Sequence, residues 1–388
     1  MTTIFKHLFF VLCLATGINL AGASQLTTSL TIQHISNDKW LVNYDFDQAI
    51  TGINFGPERG NFREQSWKIL TPNLALKRSG NTELIEAQGE AFKQLQIELS
   101  AYSGFPQGGY SPMNLFSDGG AAIFLPNFLG IAQLDNKPVA MQVKLRLIKL
   151  DSENLIASDT QAERSYVYFG HGAVQSRAYG DVLIDKAIPE WARETLELVL
   201  DRLTSFYPIA LAHPLRHKIP VMFAVSPHAG EMFSIKGGAV AGQIVFRFSG
   251  TSIYEDNEKK RSMLQQLIAH ELAHIWQSDI TGGGANPKQA WIHEGGAEML
   301  AIAALHETQI WTEQQAQTWE QMLINECTQL QNNRKSYRGA YACGFQYLKA
   351  QKLPYLSMWR QLIRLADQLG TPYTEEMLQT IQAQTQSH

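Results

Sequence analysis

Apolar and polar residues alternate in four stretches early in the chain: SLTIQHI (29–35), KWLVNYDF (39–46), FKQLQIELSAY (92–102) and AMQVKLRLIKL (140–150). A period of two places successive side chains on opposite faces, so each stretch predicts a strand with one buried face. Glycine-bearing turns separate several of them, and no long segment here carries a helical period. The expected architecture is an antiparallel sandwich or open sheet. A glycine-rich piece, GFPQGGYSPMNLFSDGGAAIFLPNFLG (104–130), fits either a binding loop or plain turn chemistry.

The pattern then changes. In IPEWARETLELVLDRLTSFYP (188–208), Pro189 stands near the start and Leu196, Val199, Leu200, Leu203 and Phe206 share one helical face. IPVMFAV (219–225) and QIVFRFSG (243–250) predict two strands. From about Asp256 onward helix follows helix. The fold class is therefore α+β, with a boundary between about 160 and 180: a β-rich domain over 24–170 and a mainly helical domain over 171–388.

The length of 388 residues suits two domains, and a composition 45% hydrophobic and 18% charged is globular. A net charge of −4 gives no basic footprint and excludes a nucleic-acid partner. At the N-terminus Lys6 and His7 precede an apolar run from Leu8 to Ala15, and Ala21-Gly22-Ala23 forms a small-x-small site. Residues 1–23 thus predict a signal peptide cut after Ala23, a secreted or periplasmic protein, and no stable membrane anchor after cleavage. The alternative is an uncleaved anchor, for which the apolar run is short. Val11 and Leu12 before Cys13 do not suit a lipoprotein site. Cleavage leaves Cys327 and Cys343, which either pair in an oxidising compartment or stay as two buried thiols.

The stretch LIAHELAHIWQ (267–277) bears on chemistry. His270 and His274 are one helical turn apart on one face and can share a zinc ion. Glu271 follows the first of them and can reach a water without ligating the metal, the HExxH arrangement. Zinc needs a third protein ligand, and NPKQAWIHEGGAEMLA (286–301) offers two carboxylates, Glu294 and Glu298, again one turn apart. One can ligate, and the other can accept a hydrogen bond from the far nitrogen of a ligating histidine. Asn286 and Pro287 predict the start of that helix. Gly295 and Gly296 inside it cost roughly 1 kcal/mol each relative to alanine, so close approach of the two metal helices or of substrate must compensate. His293 reads as a bystander. Gly282-Gly283-Gly284 ends the first helix and turns the chain back.

Over NEKKRSMLQQLIAHELAHIW and WIHEGGAE the chain resembles the gluzincin metallopeptidases, in particular the membrane alanyl aminopeptidase type and its glycyl aminopeptidase relatives. The resemblance implies a thermolysin-like catalytic domain after a β-rich one. It assigns Glu294, followed by glycine, as the third ligand of a single zinc ion and leaves Glu298 as outer partner. The gap before that glutamate is one residue longer here than is usual in the family, a difference the triple glycine can absorb. The family also bears a tyrosine in a Tyr-x-x-Gly stretch, and Tyr341-Ala342-Cys343-Gly344 matches it, so Tyr341 is implied as an oxyanion donor with Tyr337 in reserve. If Cys343 pairs with Cys327, the bond helps fix the helix carrying Tyr341.

One position departs from the family. Its substrate strand carries a glutamate that binds a free α-amine. Here Gly238-Ala239-Val240-Ala241 takes that place, with Ala241 where the glutamate would stand. The strand can still pair backbone to backbone with a peptide. Glu231 or a residue of the N-terminal domain is left to supply the charge. The expected function is an exported zinc metallopeptidase acting on a peptide or protein, aminopeptidase or endopeptidase. The alternative is a catalytically silent peptide- or surface-binding protein on the same scaffold.

Overall fold

The computed structural model describes residues 26–386 except 37, 58–59, 105–109, 136, 227–229 and 282–288. The expected signal peptide, the triple glycine, Asn286 and Pro287 lie outside the described residues. The strands are β1 (Leu26–Ser36), β2 (Lys39–Ile50), β3 (Gly52–Pro57), β4 (Trp67–Ile69), β5 (Leu74–Ser79), β6 (Thr82–Ala87), β7 (Phe92–Ser100), β8 (Met113–Leu115), β9 (Ala121–Phe124), β10 (Ile131–Leu134), β11 (Lys137–Ile148), β12 (Asn154–Ile156), β13 (Tyr166–Gly170), β14 (Gln175–Arg177), β15 (Gly180–Ile184), β16 (Val221–Ser226), β17 (Ser234–Val240) and β18 (Gln243–Ser249). The helices are α1 (Phe62–Ser66), α2 (Glu190–Ala210), α3 (Glu258–Thr281), α4 (Ala290–Glu307), α5 (Glu313–Gln329), α6 (Tyr337–Ala350), α7 (Tyr355–Leu369) and α8 (Glu375–Gln386). No helix among the described residues is long and apolar enough to cross a membrane.

Two compact units result. The first takes the described residues up to Ala187 together with Ile219–Ile253, and the second takes Ile188–Lys218 and the chain from Tyr254 onward. The first unit holds a nine-stranded sheet in the order β4-β7-β2-β1-β11-β10-β3-β6-β5, a four-stranded sheet β12-β13-β9-β8 and a five-stranded sheet β14-β15-β16-β18-β17. Most pairs are antiparallel, as the alternation predicts, but β1 runs parallel to β11, from Leu26 beside Met141 to Gln33 beside Ile148. The four-stranded sheet is buried on both faces. In β13, Val167 and Phe169 join the core of the nine-stranded sheet, while Tyr166 and Tyr168 join a second core with Leu183, Met222 and Val245 of the five-stranded sheet. That double burial is why YVYFG reads as an unbroken apolar run. The glycine-rich piece supplies β8 and β9, which pair as a hairpin joined by a turn.

The second unit is helical. On α2 the buried stripe is Leu196, Val199, Leu200, Leu203 and Tyr207, with the expected Phe206 only partly buried. At 3.6 residues per turn, Tyr207 lies about 20° from Leu196 around the axis, whereas Phe206 lies about 80° away at the edge of the stripe. Helix α3 is buried on every side from Ile268 to Gln277, and α4 likewise from Trp291 to Ile302. Helices apolar all round belong at the centre of a bundle. The two carry the candidate site.

Candidate metal centre

His270 and His274, one turn apart on α3, turn both imidazoles toward Glu294 on α4. One ligand atom from each of the three lies within 4.8 Å of the others, and all three residues are buried. His270 Nε2 and His274 Nε2 are each 3.3 Å from the same carboxylate oxygen, Glu294 Oε2. That is longer than a well-formed N–H···O bond. It equals the edge, about 3.3–3.4 Å, of a tetrahedron whose centre is 2.0–2.1 Å from each corner, the bond length of zinc to imidazole and carboxylate. Two nitrogens each at that spacing from one oxygen, with all three atoms within 4.8 Å of one another, suit a zinc ion with one position left over.

The electrostatics of the chain alone favour such an occupant. Burial would raise the Glu294 carboxyl, but the His274 and His270 imidazoles outweigh it and hold the carboxyl well below the usual range. Burial would lower His270, but Glu294 and then Glu298 overcome it and lift the imidazole to about 10. In the chain alone the ionised Glu294 carboxylate is thus paired with a protonated His270, and a bound metal cation would take the place of that proton.

The residues around the ligands are ordered in turn. Glu298 Oε1 stands 3.4 Å from His270 Nδ1, on the side away from Glu294. Gln266 Nε2 donates to Glu298 Oε2 at 2.7 Å and holds that carboxylate in place. Glu271 is buried beside His270, close enough for its charge to act on both His270 and Tyr341. Tyr341 on α6 is buried and stacks on His270, with ring centroids 5.4 Å apart and planes 18° apart. Burial, then the nearby Glu294, pushes its phenol well above the usual value, so it remains a hydrogen donor. Tyr337, one turn earlier, packs edge-on against Tyr341 at 5.5 Å.

The two glycines of α4 are explained by neighbours the sequence did not name. A Cβ on Gly295 would fall 2.6 Å from the Cα of Gly344, so the backbones of α4 and α6 nearly touch there. A Cβ on Gly296 would fall 2.8 Å from Cη2 of the buried Trp359 on α7. The close approach is thus to the tyrosine helix and to α7. Gly344, the glycine of the Tyr-x-x-Gly stretch, answers Gly295 in the same contact and sets how near Tyr341 comes to His270. Cys343 is bonded to Cys327, which ties α6 to α5.

His293 is placed differently from the expectation of a bystander. Its ring stacks on that of His274, with centroids 4.0 Å apart and planes 18° apart, and its Nδ1 is hydrogen-bonded to Tyr373 Oη. His274 Nδ1 meets Gln277 Oε1 at 2.7 Å. Gln266, Gln277 and Tyr373 carried no sequence signal that would have singled them out. Gln277 lies one turn beyond His274, but polar residues at that spacing are common on helices.

The expected substrate strand belongs to the other compact unit. Gly238, Ala239 and Val240 lie on β17, an edge strand paired only with β18 among the described residues. Ala241 is not on the strand. With φ of 46° it forms, with Gly242 at 75°, the two-residue turn between β17 and β18. Such a hairpin requires left-handed backbone at both positions, which sequence alternation does not reveal. The carbonyl of Ala239 accepts a hydrogen bond from Tyr110 at 2.8 Å.

No protein-family model matches the sequence, and no curated protein matches it. Among solved structures, a TM-score of 0.45 with 12% identity relates the chain to an M1 zinc metallopeptidase from Deinococcus radiodurans, over 94% of this chain and 90% of that one. Yeast LTA4 hydrolase gives 0.48 with 10% identity, over 93% of this chain and 64% of that one. An aminopeptidase N family protein from Idiomarina loihiensis gives 0.50 with 9% identity, covering 92% of this chain and 70% of that chain. At such identity the likeness is one of fold: a β-rich first part followed by a helical second part.

Proposed function

We propose that this protein is a zinc-dependent peptidase. The observation that carries the reading is the pair of imidazole nitrogens set 3.3 Å from one oxygen of Glu294, with Glu271 buried beside them. His270, His274 and Glu294 hold the ion. Zinc bound there supplies Lewis acidity toward a carbonyl oxygen and toward a water. Glu271 takes the proton of the attacking water on a carboxylate oxygen and delivers it to the nitrogen of the leaving amine. The Tyr341 phenol, kept protonated, donates a hydrogen bond to the oxyanion of the tetrahedral intermediate. The burial of His270, Glu271, His274 and Glu294 strengthens each of these charges. A purely structural metal has no use for a buried carboxylate in the position of Glu271, which disfavours a silent binding protein. The likeness in fold to an aminopeptidase N family protein agrees with peptide chemistry. The substrate reading is a peptide or protein. The N-terminal apolar run and the bonded cysteine pair favour action after export, in a secreted or periplasmic setting.

The test is digestion of a peptide library by the mature, zinc-loaded protein, read by mass spectrometry, beside Glu271→Gln. Cuts made by the wild type and absent in the variant support the reading, and equal digestion by both refutes the mechanism. Including N-acetylated peptides separates aminopeptidase from endopeptidase, because only the former needs a free amine.

A further inference from the structure

His274 can serve a metal through Nε2 only if its proton sits on Nδ1, and a neighbouring side chain decides that. Gln277 Nε2 is 3.1 Å from the backbone carbonyl oxygen of His293. A carbonyl only accepts, so the amide nitrogen must face it, and this fixes which end of the Gln277 amide points the other way. The end that faces His274 Nδ1, at 2.7 Å, is the acceptor Oε1. Nδ1 must then carry the hydrogen, and the Nε2 lone pair is left pointing at the site. The carbonyl that orients the amide belongs to the residue immediately before Glu294. A single side chain thus links the second histidine of α3 to the backbone of α4 beside the third ligand. The remaining freedom of the imidazole is rotation of its plane. Against that plane lies the His293 ring, 4.0 Å away and tilted by 18°, itself anchored through Nδ1 to the buried Tyr373.

We propose that Gln277 is a positioning residue that sets the tautomer of His274, and that the His293 ring, held by Tyr373, fixes its plane. The inference rests on the metal reading of the site and adds to it. Outer partners of ligating histidines are usually carboxylates or backbone carbonyls, and their loss typically costs about 10–100-fold in metal affinity. Here a glutamine fills that role because a backbone carbonyl holds its amide in one orientation.

The experiment measures zinc affinity of the full mature chain by chelator competition for the wild type, Gln277→Leu, Gln277→Glu and His274→Ala. Long-range ¹⁵N–¹H spectra of the histidines accompany it, with and without zinc, at a pH where the imidazoles are neutral. Gln277→Leu removes the acceptor at similar size and should weaken zinc binding about 10–100-fold. Gln277→Glu keeps an acceptor for His274 Nδ1 but loses the amide hydrogen donated to the His293 carbonyl, so it should weaken zinc binding less than Gln277→Leu does. Unchanged affinity in Gln277→Leu, or equal losses in both variants, overturns the proposal, because a merely structural role would not separate them. The wild-type spectrum decides independently if Gln277→Leu does not fold. A proton on His274 Nδ1 supports the proposal, and a proton on Nε2 or metal on Nδ1 overturns it. Should the wild type bind zinc no better than His274→Ala, the metal reading fails, while the metal-free spectrum still reads the tautomer.

Discussion

Replacing Gly295 by alanine sets two effects against each other, and the geometry says which wins. Alanine in a helix interior is favoured over glycine by about 1 kcal/mol. The new methyl carbon, however, would lie 2.6 Å from the Cα of Gly344, and ordinary contact begins near 3.4 Å. The carbonyl carbon of Gly344 and the nitrogen of Phe345 lie nearer still, so about 1 Å or more must open between α4 and α6, and what resists is backbone, which cannot turn aside as a flexible side chain can. Overpacking of this kind costs about 1–3 kcal/mol, and a backbone contact belongs at the upper end. The expected balance is a loss of about 2 kcal/mol, or roughly 4–8 °C in melting temperature for a unit of this size. The same displacement moves Tyr341, on α6, away from Glu294 and His270. A shift of about 1 Å at a reacting centre can cost about 10²-fold in rate. Zinc should stay bound, because all three ligands lie on α3 and α4. The assays are thermal melting, metal content and peptide turnover. A Gly295→Ala protein that melts at or above the wild-type temperature and turns over normally would refute the contact and the role given to α6.

Other expectations follow from the same geometry. His270→Ala should abolish stoichiometric zinc as measured by metal analysis, since it removes one of three ligands; unchanged metal content would exclude this site. Tyr341→Phe should retain zinc and lower kcat by roughly 10²-fold, with KM little changed, because the lost hydrogen bond exists only to the developing oxyanion. An unaltered kcat would pass that role to another group, with Tyr337 the nearest phenol. Reducing the bond between Cys327 and Cys343, which closes a loop of sequence separation 16, should lower unfolding stability by about 3 kcal/mol in denaturant titrations. Turnover of the folded, reduced protein should change by less than about threefold, since α6 keeps its other ties to α5.

What the sequence revealed follows its periodicities. The alternating stretches became β1, β2, β7 and β11 because one face of each is buried and the other is not. Strand β13 escaped notice because both of its faces are buried and alternation vanishes. The parallel register of β1 on β11 joins segments more than a hundred residues apart and leaves no local trace. At the site, spacing of one helical turn was enough to put His270 with His274 on one face of α3 and Glu294 with Glu298 on one face of α4, while the packing of α3 on α4 brings the two pairs together. Gln277 was not legible, because its role depends on a backbone carbonyl of another helix. The glycines of α4 announced a close neighbour without saying which. Only the packing names Gly344 and Trp359.

Helix α6 shows how much positioning a short segment can concentrate. Counting 3.6 residues per turn, Gly344 lies about 60° around the axis from Tyr341, so both share the face turned to α4 and His270. Cys343 lies about 160° from Tyr341, on the opposite face, where Cys327 of α5 meets it. The disulfide is therefore a brace behind the helix and not part of the reactive surface. Two further ties join α6 to α5: the Arg338 guanidinium makes two hydrogen bonds to Glu326, at 2.7 and 2.6 Å, and Lys349 pairs with Glu320. These ties pull α6 toward α5, while the glycine contact lets it come within backbone distance of α4. Approach is limited by what Gly295 and Gly344 leave unfilled, and retreat is limited by the disulfide and the other ties to α5. A tyrosine held in this way needs no rearrangement to meet a charge that develops beside His270. That is the condition under which a fixed donor contributes most to a rate.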